Sequence, residues 1–586
     1  MATTVKSWSH VLLDIAAGIA LHLLVLRHGE WDFVLPVMVV KLIGVCVPLL
    51  AIGALLFHNR IDIFWPWLSA VSLRALRVTG SLCMSILIYR WKFHRLRRFP
   101  GPLGSRLSTA YIMWKSGTSS NAFEMVAEYH EQYGDFVRVG PAELSIKHPD
   151  AIAAIHSSKS SCIKSPWYDI LRPHRSVFGT RDRAEHQRRR RVWDHAFRPA
   201  ALKEYEPSMR ACVNQLVEKV SKNAASGTPI NMTEWFGCLM FDIIGELAFG
   251  ETFGTLANEK PHYMMQYLHD SNVSTGIMIR AVWIIMVFRT IPIINRGLQQ
   301  FLDFSETAME KRLKVPSPRT DQPRDVFAWL WDDFSAKSPQ TIEARQNLIA
   351  DASLSVFAGR YSGARTPRFN RFCAWDSNLF GDNSDTVAIT MTGILYYLMR
   401  YPDYQRRLQE EFDQAEDSHD GSDVPDLVKL PLFNGIINES LRLHYAGPSG
   451  FPRITPPEGI RVGETFIPGN VNVKVPFYAV FRDERNFKHP DEFIPERWYS
   501  RRDLIHHPEV FVPFLMGPYN CVGKNAALMQ IRWTMYSLFS RFEAQPLDKD
   551  QLQKYWYQRA DGFSMGLGPL WTRFKERPEQ RSSTSH

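Results

Sequence analysis

A mainly α-helical domain with small β-sheets, preceded by one or more membrane-spanning helices, is the fold class that the sequence predicts. Three observations predict it. A long apolar stretch lies near the N-terminus, segments with helical spacing dominate the middle of the chain, and the β-like stretches are few and short. The 586 residues are 45% hydrophobic and 22% charged, ordinary for a chain that folds around a sizeable core.

The N-terminal element comes first. Phe33 to Phe57 (FVLPVMVVKLIGVCVPLLAIGALLF) is apolar apart from Lys41. At about 1.5 Å per helical residue it is long enough to cross a hydrocarbon core of about 30 Å. Val11–Leu26, with Asp14 and His22, and Ile63–Tyr89, with Arg74 and Arg77, are further candidates, so the number of spans stays open. A secretory signal peptide has a shorter apolar core followed by a small-residue cleavage site. Arg90, Lys92, Arg95, Arg97 and Arg98 then form a positive collar, which by the positive-inside rule stays cytosolic. Pro100 and Pro102 stiffen the exit, since each fixes φ and cannot extend a helix. Residues 1–98 are therefore read as anchor and collar, 99–574 as the main domain, and 575–586 as a disordered polar tail.

Within the main domain, Ala201–Ala224, Met232–Gly250 and Asp403–Glu416 carry helical spacing with few breakers. Phe136–Val139 with Glu143–Ile146, and Ile460–Ile467 with Val471–Val475, read as short strand pairs, the latter with Gly463 in a turn. Gly276–Ile294 is apolar but carries Arg280 and Arg289, which suits a core helix. The net charge of +9 fits a membrane surface or an acidic protein partner. Nucleic acid is excluded as a partner, because the arginine runs sit beside the apolar N-terminus and inside a helix-like stretch. The seven cysteines contain no C-x-x-C pair, which argues against a disulfide framework and a zinc site, and for a reducing compartment.

One cysteine stands apart. Pro513-Phe-Leu-Met-Gly517-Pro-Tyr-Asn-Cys521-Val-Gly523 is a glycine-bearing loop that runs into an apolar-patterned helix through about Phe542, with Ala526, Ile531, Met535 and Leu538 near one face. A thiolate at a helix N-terminus is stabilised by unpaired N–H groups and the helix dipole. The pattern Phe514-x-x-Gly517-x-x-x-Cys521-x-Gly523 resembles the haem-ligand loop of the cytochrome P-450 family. That resemblance implies Cys521 as the axial ligand of the iron of haem b, its thiolate pushing electron density onto the metal. Phe514, Gly517 and Gly523 are then cofactor-binding residues. One position departs from the family: two residues before the cysteine, where Arg or His commonly reaches a haem propionate, stands Tyr519. Propionate neutralisation must then come from elsewhere.

Three further segments follow the family's order. Glu439 and Arg442 form its Glu-x-x-Arg pair, which meets on one helical face at i,i+3. Phe493-Ile-Pro495-Glu496-Arg497-Trp498 resembles the segment whose arginine locks onto that pair. Glu439, Arg442 and Arg497 are thereby implied to be structural, beneath the haem. His186-x-x-x-Arg190 and Arg453 resemble propionate contacts. By position, Gly276–Ile294 resembles the family's mobile roof over the substrate channel.

The family's oxygen-activating helix carries Ala/Gly-Gly-x-Asp/Glu-Thr. Here it occurs in two halves, Ala358-Gly359 and Ser384-Asp385-Thr386, so Asp385 and Thr386 are the implied catalytic proton-delivery pair. Between them, Arg360 to Asn383 is an insertion of 24 residues with Pro367, several glycines and no clean period. A structureless insertion of that length inside a core helix argues against its own placement there. We read residues 360–383 as translated intron: an AGG codon for Arg360 followed by Tyr361 spells a donor, the AG of an AGC or AGT codon for Ser384 an acceptor. Splicing there stays in frame and leaves Ala-Gly-Ser-Asp-Thr.

The resemblance implies a haem-thiolate monooxygenase that inserts one oxygen atom of dioxygen into a lipophilic small molecule. Electrons come from NADPH through a separate NADPH-cytochrome reductase or a cytochrome b-type donor. The implied location is the endoplasmic reticulum membrane, with the catalytic domain facing the cytosol. The loop form and apolar N-terminus look like fungal secondary-metabolism members of the tryprostatin hydroxylase-like kind. A thiolate-haem isomerase or dehydratase, or a non-catalytic haem-binding membrane protein if residues 360–383 persist, stays open on sequence alone.

Overall fold

The computed structural model describes residues 2–56, 61–119, 121–262, 281–290, 292–314, 325–336, 341–357, 386–417, 425–562 and 564–578. The N-terminal region holds three helices long and apolar enough to cross a membrane, Trp8–Leu26, Leu35–Leu55 and Ile63–Phe93. They are built from α1 (Ala2–Ala20), which runs on as Leu21–Leu26, α2 (Leu35–Leu56) and α3 (Ile61–Ile88), which runs on to Phe93. The two less apolar stretches are therefore helices as long as the obvious one. What makes them compatible is pairing: α1 packs along α3, Asp14 lies 3.6 Å from Arg77 and 3.8 Å from Arg74, and His22 Nδ1 shares a 2.8 Å hydrogen bond with Ser85 Oγ. Gly18 permits the approach, since a Cβ there would sit 2.1 Å from Ser81 Oγ.

The catalytic-size domain follows. Strands β1 (Phe136–Gly140), β2 (Glu143–Ile146) and β3 (Ile163–Lys164) precede a helical block of α4 (Arg183–Ala196), α5 (Pro199–Ser226) and α6 (Met232–Phe249). Then come α7 (Val282–Arg289), α8 (Ile342–Phe357), α9 (Thr386–Arg400) and α10 (Pro431–Leu443), and finally β4 (Arg453–Ile454), β5 (Asn472–Lys474) and α11 (Lys524–Phe539). Helices α6 and α9 are apolar almost all round and buried along nearly their whole length, as central helices must be. Both α8 and α9 pack on α6, and α11 packs on α5. Ala526, Ile531, Met535 and Leu538 are all buried, which makes them the inner stripe of α11.

The principal sheet runs β1-β2-β5-β4-β3, with β2 and β5 parallel and the other neighbours antiparallel. The expected pairing of 460–467 with 471–475 is not the one formed. Ile460–Val462 folds back on Thr465–Ile467 around Gly463 as its own hairpin, while β5 pairs with Glu143–Ser145 and with β4. Local turn chemistry placed the hairpin correctly, and a strand far away in sequence captured its neighbour. The helix after Cys521 likewise ends at Phe539, because Phe542–Pro546 joins Trp571–Glu576 as a strand.

The first two membrane helices meet the domain through the turn between them and the start of α2. Glu30, in the turn between α1 and α2, pairs with Arg181 at 3.0 Å. Phe33 and Val37 pack on a small apolar cluster of Ile170, Ile285 and Met286, so the start of α2 lies against α7.

Candidate active site

Residues 513–523 form an irregular loop that the Cys521 N–H closes by donating to the Phe514 carbonyl at 2.8 Å. Gly517 is the residue on which the turn depends. Its φ is +69°, and a Cβ would stand 2.3 Å from the His156 carbonyl oxygen. Only glycine fits both the conformation and the space. Gly523 is different: a Cβ there would meet only Cys521 Sγ, at 3.9 Å, so the protein itself does not demand glycine on that side of the sulfur.

Cys521 sits just ahead of α11, as the sequence reading expects. The backbone of Gly523 and of Lys524 hydrogen-bonds the sulfur. Burial pushes the thiol pKa up, and those two bonds together with the charges of Arg190 and Lys524 oppose the rise without cancelling it. The side chain lies deep within the molecule and yet presents exposed surface.

Beside the loop lies a cluster of basic side chains. His186, on α4, is buried and meets the Tyr519 ring edge-on at 4.8 Å. One turn later, Arg190 donates to the Asn520 carbonyl at 2.6 Å and to Asp194 at 2.8 Å. Arg453 is buried, with its guanidinium 4.9 Å from the Tyr519 ring centre and a 2.8 Å bond to the Tyr168 hydroxyl. The sequence reading missed a fourth member, Lys164. Its ammonium lies 5.0 Å from the Tyr519 ring and donates to the carbonyls of Val177 and Phe178, at 3.0 and 2.7 Å. The β3–β4 ladder sets Lys164 directly opposite Arg453, and like charges facing across a ladder destabilise it. Asp351, the carboxylate acting on Lys164, is itself held by Arg189. Burial first, then Arg453, Arg189 and Arg190, hold the Lys164 pKa well below the ordinary lysine range. Burial and the same cations bring His186 down to about 3. His186 Nδ1, Arg453 Nε and the Tyr519 hydroxyl have no hydrogen-bond partner among the described residues.

Deeper in the domain, Glu439, Arg442 and Arg497 are fully buried. Glu439 accepts from Arg442 Nε and Nη2 at 3.0 and 2.8 Å, from Arg497 Nε at 3.0 Å and from the Ile494 N–H at 3.0 Å. The Trp498 indole donates to it as well, at 2.9 Å. The pair expected from sequence is thus a four-residue knot with Trp498 as its fourth side chain. Burial pulls the Glu439 carboxyl up, but Arg442 and Arg497 outweigh it and hold it below the usual range. The two guanidiniums spend their remaining donors on the carbonyls of Phe481, Pro490, Glu492, Lys488, Leu504 and His489. Thr386 is the exposed first residue of α9. Asp385 and the 360–383 insertion lie outside the described residues.

The family model for cytochrome P450 matches residues 100–565. The chain belongs to the cytochrome P450 family. A P450 monooxygenase of Penicillium fellutanum, phqL, is 39% identical and covers 98% of this chain and 97% of its own length. FCK2, a P450 monooxygenase of Fusarium pseudograminearum, is 35% identical, with 96% of each chain covered. Tryprostatin B 6-hydroxylase of Aspergillus fumigatus is 34% identical over 94% of this chain and 93% of its own. This P450 is accordingly a haem-thiolate monooxygenase of secondary metabolism, one that works on small molecules with redox partners. Its residues fit haem. Two buried cations side by side, with unpartnered donors on Arg453, His186 and Tyr519, suit the two carboxylates on one edge of the macrocycle. The open side of the loop at Gly523 leaves its flat face room beside the sulfur.

Proposed function

We propose that Cys521 would hold the haem iron through its thiolate and that Lys164, Arg453, His186 and Arg190 would hold the cofactor's carboxylates. The supporting observation is the juxtaposition itself: a cysteine receiving two backbone hydrogen bonds beside buried cations that face one another across a ladder. Haem held there supplies dioxygen binding and reductive O–O cleavage, with thiolate donation favouring the cleavage. The chain's own residues do the rest. Gly517 and the Phe514 carbonyl fix the cysteine loop, the cation pocket orients the cofactor edge, and Tyr519 gives one hydrogen bond where the family commonly has a cation. Thr386, the first residue of α9, and Asp385 before it in the sequence are the residues to which we assign proton delivery.

The substrate is a lipophilic small molecule. The apolar cluster that joins α2 to α7 and Ile170 supports entry from the bilayer, beneath the roof formed by the α7 region. Hydroxylation, the reaction for which the tryprostatin B relative is named, is the reaction type we assign. Electrons come from NADPH through a separate reductase, or from a cytochrome b-type donor, docking on the basic face of the domain. The basic collar supports a domain facing the cytosol, and we assign the membrane as the endoplasmic reticulum. The ligand test is spectroscopic. Cys521→Ser should abolish the long-wavelength carbonyl band of reduced, thiolate-ligated haem and all substrate oxidation. Retention of that band in the variant overturns the assignment.

A further inference from the structure

A cavity of about 570 Å³ opens where two membrane helices end. Arg27, His28 and Glu30 line it directly after the span Trp8–Leu26; Tyr89, Phe93 and Arg95 line it at the end of the span Ile63–Phe93; and Asn470 closes it from the catalytic domain. It therefore sits at the level of the bilayer headgroups. The charge around it is one-sided. Arg95 gives its donors to the carbonyls of Gly469 and Asn470, at 2.6 and 3.1 Å. Arg90 gives one to the Leu107 carbonyl at 2.7 Å. Fully buried Arg138 bonds the carbonyls of Pro141, Arg90 and Arg106. The Arg27 guanidinium lies over the Tyr89 ring at 4.9 Å. Of the nearby carboxylates, Glu30 is tied to Arg181, which leaves Asp32 beside Arg90. Buried His94 reports the resulting field: burial first, then Arg138, Arg95, Arg90 and Arg27, bring its pKa down to about 3.

We propose that this cavity is a binding site for the phosphate headgroup of an anionic glycerophospholipid. Carbonyls satisfy the hydrogen bonds of Arg95 and Arg138 without neutralising their charge, Asp32 answers Arg90, and basic pockets at the cytoplasmic ends of membrane helices suit anionic headgroups. The volume is that of a small-molecule site, and the two spans that end at its rim give the acyl chains a path into the bilayer. A lipid seated there bridges the turn after α1, the end of α3 and the catalytic domain, and so sets the tilt of the domain over the membrane. The inference rests on the reading that these helices cross a bilayer.

The test uses the full-length protein in nanodiscs of phosphatidylcholine containing a minor share of phosphatidylserine. Native mass spectrometry reads the lipid that each chain retains. The expected result is phosphatidylserine enriched over its bulk share, lowered about five-fold by Arg27→Gln and kept by Arg27→Lys. Lys92→Gln, in the collar outside the cavity, should leave the enrichment unchanged, and free glycerol 3-phosphate should not displace the lipid. Equal retention in Arg27→Gln, an equal loss in Lys92→Gln, no enrichment in the wild type, or displacement by glycerol 3-phosphate each overturns the lipid site. Chains that fail to enter nanodiscs overturn the membrane reading first, and this proposal with it.

Discussion

Replacing Glu439 by glutamine should cost a large share of this protein's stability without touching its chemistry. The side chain keeps its shape and loses its charge, leaving two guanidiniums, both fully buried, with carbonyls alone for company. Its carboxylate accepts five hydrogen bonds, and a glutamine NH₂ would face some of those donors instead of accepting from them. Breaking a buried ion pair from one side costs about 3–5 kcal/mol, which is a fall of about 10²- to 10⁴-fold in the ratio of folded to unfolded chains. Against a total stability of about 5–15 kcal/mol, the yield of haem-loaded chains should fall at growth temperature. The assay is the yield of haem-loaded protein together with the urea midpoint at neutral pH, with turnover per bound haem as the control. The cost of the Glu439→Gln/Arg497→Met double variant should be smaller than the sum of the single costs, because the partners act as one unit. A midpoint shift worth less than about 1 kcal/mol, with full haem loading, would refute the reasoning that the knot is a desolvated ionic core.

Three other outcomes follow. Lys164→Met should leave the fold intact and weaken haem retention by about 10- to 100-fold, the worth of one hydrogen bond to a charged group; haem transfer to an acceptor apoprotein measures it, and unchanged transfer removes Lys164 from the cofactor pocket. Excising residues 360–383, so that Gly359 meets Ser384, should raise the fraction of NADPH consumed that appears as oxidised product, and mature transcripts should lack those codons; a transcript that retains them, or equal coupling without them, goes against the intron reading. Buried His130 is brought down to about 4 by burial, against the pull of the Gly134 carbonyl. An unfolded histidine titrates near 6.5, so the folded state resists the proton: this contribution is whole above about pH 6.5 and is lost as pH falls toward 4. Acid denaturation of His130→Gln should therefore be shallower over that interval, and identical slopes would exclude the residue.

Features written in contiguous residues were legible before any coordinates. The apolar run in α2 needs only length and composition. The cysteine loop, the Glu-x-x-Arg spacing and the His186–Arg190 pair lie within one or two turns of chain, so their geometry follows from the local period. The split between Gly359 and Asp385 was visible for the same reason. By contrast, Lys164 carries no spacing signal, being a lone lysine in a two-residue strand. It becomes informative only when the ladder sets it opposite Arg453, nearly 300 residues away. Trp498 likewise joined the ionic knot only in three dimensions.

The sequence by itself determined the class of fold, the apolar N-terminal helices and the loop motif that singles out Cys521, because each is encoded in neighbouring side chains whose physics is short-ranged. The tertiary structure decided which charges converge on Tyr519, that β5 pairs with Glu143–Ser145 and not with the adjacent hairpin, and how the turn after α1 meets the domain. Those outcomes depend on burying distant segments against one another. The desolvation and mutual repulsion that give Lys164, Arg453 and Arg27 their meaning exist only once the chain has folded around them.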